Sequence, residues 1–117
     1  MSYLLLIVEP ADQRAQRPLE DGRAAYDAMV RFAESLKARG VLRAVESLAS
    51  TDKAVRVQVR GGEPRLVDGP FAEAKEMVGG FFLLDCKSLD EAIAIAAECP
   101  AAKWCTIEVR KVAPCYE

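Results

Sequence analysis

The chain has 117 residues, 51% of them hydrophobic and 29% charged, with a net charge of −2. That length supports one domain with a real core, residues 1–117 as a single unit, and not two. Scattered basic residues give no electrostatic footprint for nucleic acid, and the apolar run from Leu4 to Val8 is far too short to cross a bilayer.

Tyr3 to Val8 is an uninterrupted apolar run and predicts the first strand. Pro10 and the polar segment from Asp12 to Arg17 end it. A helix is expected to begin between Pro18 and Arg23 and to stop at Gly40, a residue suited to the left-handed position after a helix. Tyr26, Met29, Val30, Ala33 and Leu36 recur at helical spacing and mark its apolar stripe. Val41 to Leu48 is the second strand. In Ala54 to Val59, valines alternate with Arg56 and Gln58, the pattern of a strand with one wet face. Gly61-Gly62 signals a hairpin turn, and Arg65 to Val67 returns antiparallel. After the segment Asp68 to Glu76, Gly79-Gly80 leads into another apolar strand, Phe81 to Asp85. Ser88-Leu89-Asp90-Glu91 has the form of a capping box. The helix that it opens carries Leu89, Ala92, Ile93 and Ala96 as its stripe and stops at Pro100. Thr106 to Val112 is the last strand.

Strand–helix–strand, hairpin, strand–helix–strand is a doubled split βαβ unit. The fold class is therefore α+β, a ferredoxin-like βαββαβ sandwich with an extra hairpin. Two helices cover only one sheet face, yet Tyr3 to Val8 and Phe81 to Leu84 are apolar on both. The uncovered face calls for a second copy, so a homodimer pairing sheet to sheet is expected.

The chemistry open to the chain is limited. It has no histidine, so acid–base work falls to carboxylate, lysine, tyrosine or cysteine. Cys86, Cys99, Cys105 and Cys115 form no CxxC pair, and no metal site and no cofactor are expected. Without a secretory leader they are read as reduced thiols of a cytoplasmic protein, with Cys115 the most exposed to oxidation.

Charge concentrates in Asp68-Gly69-Pro70-Phe71-Ala72-Glu73-Ala74-Lys75-Glu76. In one reading this stretch is purely structural. Asp68 caps a short helix begun at Pro70, Phe71 pegs the loop into the core, and Glu73, Lys75 and Glu76 form a solvated turn. In the other it rims a cleft where Lys75 holds an anionic oxygen while Asp68, Glu73 or Glu76 exchanges a proton, crowded carboxylates raising one another's pKa. Asp68, Glu73, Lys75 and Glu76 are thus the candidate catalytic residues. Tyr3, Phe71 and Glu46 are the candidate ligand contacts, with Tyr3 otherwise a core ring and Glu46 otherwise solvated. Arg56, Arg60, Glu108 and Arg110 read as sheet-face or edge residues, and Trp104 as a packing residue.

The same nine residues, followed by Gly80-Phe81, resemble the signature of DGPF-domain proteins within the YCII-related family. Tyr3 to Ile7, Gly40-Val41-Leu42, Leu89 to Ala92, Cys99 to Ala102 and Ile107 to Arg110 extend the resemblance almost end to end. It implies a dimeric α/β barrel, a ferredoxin-like protomer whose sheets pack in pairs. For function it implies a small-molecule cleft near the motif and a small lyase- or isomerase-type enzyme. The alternative that it implies is a non-catalytic ligand-binding or regulatory protein, with a sigma factor as partner by family association. The family's His–Asp pair has no counterpart here. Ala44 to Ser47 and Lys103 to Cys105 also stand where relatives carry glycine.

Overall fold

A computed structural model describes residues 1–117. The elements run β1 (Ser2–Pro10), α1 (Gln13–Gln16), α2 (Leu19–Ala38), β2 (Leu42–Ser47), β3 (Val55–Arg60), β4 (Glu63–Asp68), β5 (Glu76–Asp85), α3 (Leu89–Glu98) and β6 (Thr106–Lys111). Short 3₁₀ turns lie at Thr51–Lys53 and Pro100–Lys103. Four strands make one antiparallel sheet in the order β2-β5-β1-β6, the ferredoxin-like arrangement, and β3 pairs only with β4.

Alternation along β1 sets the layering. Tyr3, Leu5, Ile7 and Glu9 are buried, while Leu4, Leu6 and Val8 between them are half-buried. Successive side chains point to opposite faces, so the first set lies under the helices and the second on the open face. There Leu83 pairs with Leu4, Phe81 with Leu6 and Val78 with Val8. The core joins Tyr3, Leu5 and Ile7 to Phe82 and Leu84 of β5, Phe32 and Leu36 of α2, and Ala92, Ile95 and Ala96 of α3. Phe32 meets Phe82 edge to face at 5.4 Å between ring centres, a favourable aromatic geometry.

Register slips between Ile7 and Val8, which face Gly80 and Val78, so Gly79 is the extra residue of a bulge. Gly40, Gly61 and Gly62 have φ of 75°, 59° and 78°. The left-handed region favours glycine and suits the helix end and hairpin turn where these residues sit.

Several expectations are corrected. The polar segment after Pro10 contains the short helix α1. The α2 stripe shifts toward Phe32 and Leu36, leaving Tyr26 and Val30 exposed. In α3, Ile95 replaces Leu89 and Ile93 in the buried set. Ser88 Oγ accepts from Glu91 N at 3.1 Å as the capping box requires, but Glu91 accepts from Lys87 N at 3.2 Å, one residue further back. β3 has no dry face, since all its residues are exposed.

The charged motif does not start a helix. One turn closes it, Ala74 N donating to Phe71 O at 2.9 Å. Asp68 is the last residue of β4 rather than a cap. Phe71 is half-buried beneath the Arg56 guanidinium, 3.7 Å from its ring centre, and lies outside the core. The Gly69–Pro70 peptide is cis. Gly69 N donates to Ala54 O at 2.8 Å, and a side chain at Gly69 would overlap the Thr51 carbonyl. The glycine is therefore fixed by close packing at the base of the hairpin.

Candidate functional site

The buried register of β1 ends on a charge. Glu9 continues the series Tyr3, Leu5, Ile7 and is only 7% exposed. A carboxylate so far from water requires a partner, and α1 supplies it. Arg14 Nε donates to Glu9 Oε1 at 2.6 Å, Nη1 to Leu48 O at 2.7 Å and Nη2 to Gly79 O at 3.3 Å. One guanidinium thus joins β1, the end of β2 and β5. The bulge at Gly79 makes the room, because a Cβ there would overlap the Glu9 carboxylate and crowd Arg14 Nη2 at 2.8 Å. Glu9 Oε2 takes no hydrogen bond from these groups.

This corner forms one end of a cavity of about 700 Å³ between α2 and the β2–β5 half of the sheet. Ile7, Met29, Val30, Val45, Phe82 and Trp104 give it apolar walls, and Glu9, Arg14, Arg17, Tyr26 and Glu46 bring polar groups to it. Its size and mixed lining suit a small ligand. Arg17, half-buried, and Arg23, exposed, line the cavity and belong to none of the chain's five ion pairs. Arg17 is the less solvated of the two guanidinium groups left to meet an anion. A smaller hollow, about 570 Å³, lies beside it and shares Arg17 and Trp104.

Cys105 lies close by, its Sγ 3.5 Å from Gln13 Oε1. Burial, with help from the Glu9 charge, pushes its thiol up to about 11. It is therefore a protonated thiol at neutral pH and no nucleophile. Cys86 and Cys99 are also raised, chiefly by burial, and all four cysteines are free. No group of three or more acidic, cysteine or histidine side chains is placed to hold a metal ion. Glu9, Tyr26, Asp27, Glu34, Lys37 and Glu46 are the acid–base groups that line the cavity, and of these Glu9 alone is buried.

Among the candidate catalytic and ligand-contact residues named from sequence, Glu46 alone lines this cavity. Tyr3 is a core ring, 4% exposed. Asp68, Glu73, Lys75 and Glu76 are all exposed, and the Lys75 carbonyl accepts from Ala11 N at 2.9 Å. Trp104 is half-buried and borders both hollows. Sequence reasoning passed over Glu9, Arg14 and Arg17. Glu9 had a signal, since it continues the two-residue period of the buried face.

The sequence profile of the YCII-related domain matches residues 1–115. The chain belongs to the YCII-related family. An uncharacterised protein of Rhizobium meliloti (strain 1021) is 43% identical over 76 residues, which cover 63% of this chain and 61% of that protein. The chain thus spans about three fifths of the length of the curated relative it matches. Among solved structures, the chain is similar to the 5-chloro-2-hydroxyhydroquinone dehydrochlorinase TftG of Burkholderia phenoliruptrix AC1100, in complex with 2,5-dihydroxybenzoquinone. The TM-score is 0.55 at 19% identity, over 97% of this chain and 94% of that one. The likeness carries the ferredoxin-like fold of the YCII-related protomer. No helix is long and apolar enough to cross a membrane.

Proposed function

We propose that the cavity under α2 binds a small planar anion of the phenolate or hydroxyquinone class and that Glu9 moves a proton on it. The observation that carries this reading is the buried Glu9 carboxylate, held by Arg14 through one oxygen with the other left free beside the cavity. Arg17 would receive the anionic oxygen, and the apolar walls would hold the ring. Glu9 Oε2 would take a proton from an acidic carbon. The electron pair left behind either expels a leaving group from the neighbouring carbon or is reprotonated at another position. These are lyase and isomerase outcomes. The dehydrochlorinase of related fold, with its bound dihydroxybenzoquinone, supports the ligand class.

A homodimer belongs to the same reading. Leu4, Leu6, Val8, Phe81 and Leu83 form a half-open apolar sheet face, which a second copy would cover as sheet on sheet. Asp68, Glu73, Lys75 and Glu76 enter as the rim that this second copy would meet.

Calorimetric titration with 2,5-dihydroxybenzoquinone tests the site. Arg17→Ala should weaken binding at least about tenfold, near 1.4 kcal/mol. Glu9→Gln should keep binding and lose turnover of any hydroxyquinone that the protein converts. Wild-type protein that binds none of this class below millimolar concentration sinks the proposal. Binding without turnover in wild type leaves a ligand-binding protein instead.

A further inference from the structure

The β3–β4 hairpin is the part of the molecule that its own protomer does not explain. All twelve strand residues are exposed. On one face Val55, Val57 and Val59 stand opposite Asp68, Leu66 and Pro64, with Val57 62% and Leu66 67% exposed. An isolated two-stranded hairpin is marginal in water, and an apolar ladder on one face makes exposure costlier still. Yet its base is firmly built, through Gly69 on Ala54 and Thr51 and Arg56 on Phe71. This is an arm, not a slack loop.

The arm does not fold back over the open sheet face. The molecule measures 46 × 41 × 19 Å, and 19 Å accommodates the sheet and its helices, since stacked layers lie about 10 Å apart. Its radius of gyration is 16.0 Å, against about 13.4 Å for a compact chain of this length. The accessible surface is 8132 Å², whereas a compact monomer of this mass exposes about 6,300 Å². The excess, roughly 1,800 Å², is well above the ~800 Å² that each partner gives to an ordinary interface and falls in the range of obligate dimers. A four-stranded sheet face has a footprint of only about 500 Å², so pairing of sheets alone leaves most of the excess uncovered.

We infer that the β3–β4 hairpin is a clasp for a second copy of this chain, its Val57–Leu66 face seated on the partner protomer. Charge agrees with this occupant: the arm carries Arg56, Arg60 and Arg65 against Glu63 and Asp68 on a chain of net charge −2. A copy of the chain thus offers the arm both an apolar surface and the opposite net charge. The clasp presupposes the homodimer proposed above, but not the chemistry of the cavity.

Sedimentation velocity over a dilution series tests it on wild-type protein, V57K/L66K and the sheet-face variant L6E. The expected result is a wild-type dimer and at least a tenfold weaker dissociation constant for V57K/L66K, with an unchanged circular dichroism spectrum. An unchanged constant for V57K/L66K beside a weakened one for L6E overturns the clasp and leaves sheet pairing standing. A monomeric wild type overturns both. Hydrogen exchange on wild-type protein gives a reading that needs no variant. Amides of residues 55–68 should slow at concentrations where the dimer forms. Equal exchange in monomer and dimer, or slowing only on addition of DNA or of another protein, overturns the proposal.

Discussion

The corner at Glu9 and the arm ending in the charged motif are opposite uses of charge. In the corner, a buried carboxylate is paired with a half-buried guanidinium that ties three strands together. In the arm and motif, Asp68, Glu73, Lys75 and Glu76 stay exposed, and the sequence there is held by a glycine, a proline and one aromatic ring. Density of charge along the chain is therefore a poor guide to where charge is buried. Depth sets the energetics, because removal from water strengthens each electrostatic interaction and makes each missing partner costly.

The sharpest way to break this comparison is to unpair the corner. Arg14→Ala leaves Glu9 buried without its cation and should destabilise by about 3 kcal/mol or more, a fall in melting temperature on the order of 10 °C. Replacing Glu9 and Arg14 together by leucine should cost less than Arg14→Ala alone, since no orphaned charge remains. A loss below about 1 kcal/mol for Arg14→Ala would mean that the pair behaves as a surface ion pair, and the contrast between the two regions would collapse.

A smaller effect sharpens the comparison within the motif. Gly69→Ala places a methyl on the Thr51 carbonyl, and Gly79→Ala places one on the Glu9 carboxylate. Each should cost about 1–3 kcal/mol through overpacking. Asp68→Ala, Glu73→Ala and Lys75→Ala should each stay within about 0.5 kcal/mol. Chemical denaturation measures both sets. If the charge variants instead abolish turnover of a substrate while their stability is untouched, the motif is a site and the corner a scaffold.

The fold was legible because its signals are local and periodic. The apolar strands, Gly40, the Gly61-Gly62 turn, the Ser88 cap and Pro100 each act within a few residues, and their order implies the topology. The candidate site at Glu9 was not legible for the opposite reason. Glu9, Arg14, Leu48 and Gly79 meet only after three strands and a bulge are assembled. A bulge that admits one extra glycine has no periodic signature in a run already rich in glycine. Glu9 itself was within reach, since it keeps the register of Tyr3, Leu5 and Ile7. Phe71 misled because an aromatic residue in a polar loop reads as a core peg, whereas here an arginine from the arm covers it. The arm misled in its turn, since alternation of valine and arginine implies one buried face without saying whose surface buries it.

The smallest expected effect separates the two regions by their thiols. Cys105 beside the corner is raised to about 11, and Cys99 and Cys86 are raised as well, whereas Cys115 is exposed near the chain end. In the unfolded chain a thiol ionises near its ordinary value of 9. Between pH 9 and 11 the unfolded state therefore holds fewer protons at Cys105 than the folded state does. Stability from this group is complete below pH 9 and declines as pH rises toward 11. Cys105→Ser removes the ionisation from both states and should flatten that alkaline decline relative to wild type. Urea unfolding at pH 8, 9 and 10 reads the difference. The same order should appear in alkylation by iodoacetamide at pH 8, with Cys115 modified first and Cys105 protected until the corner opens. Equal rates at the two positions would show that Cys105 is not sealed against the Glu9 corner.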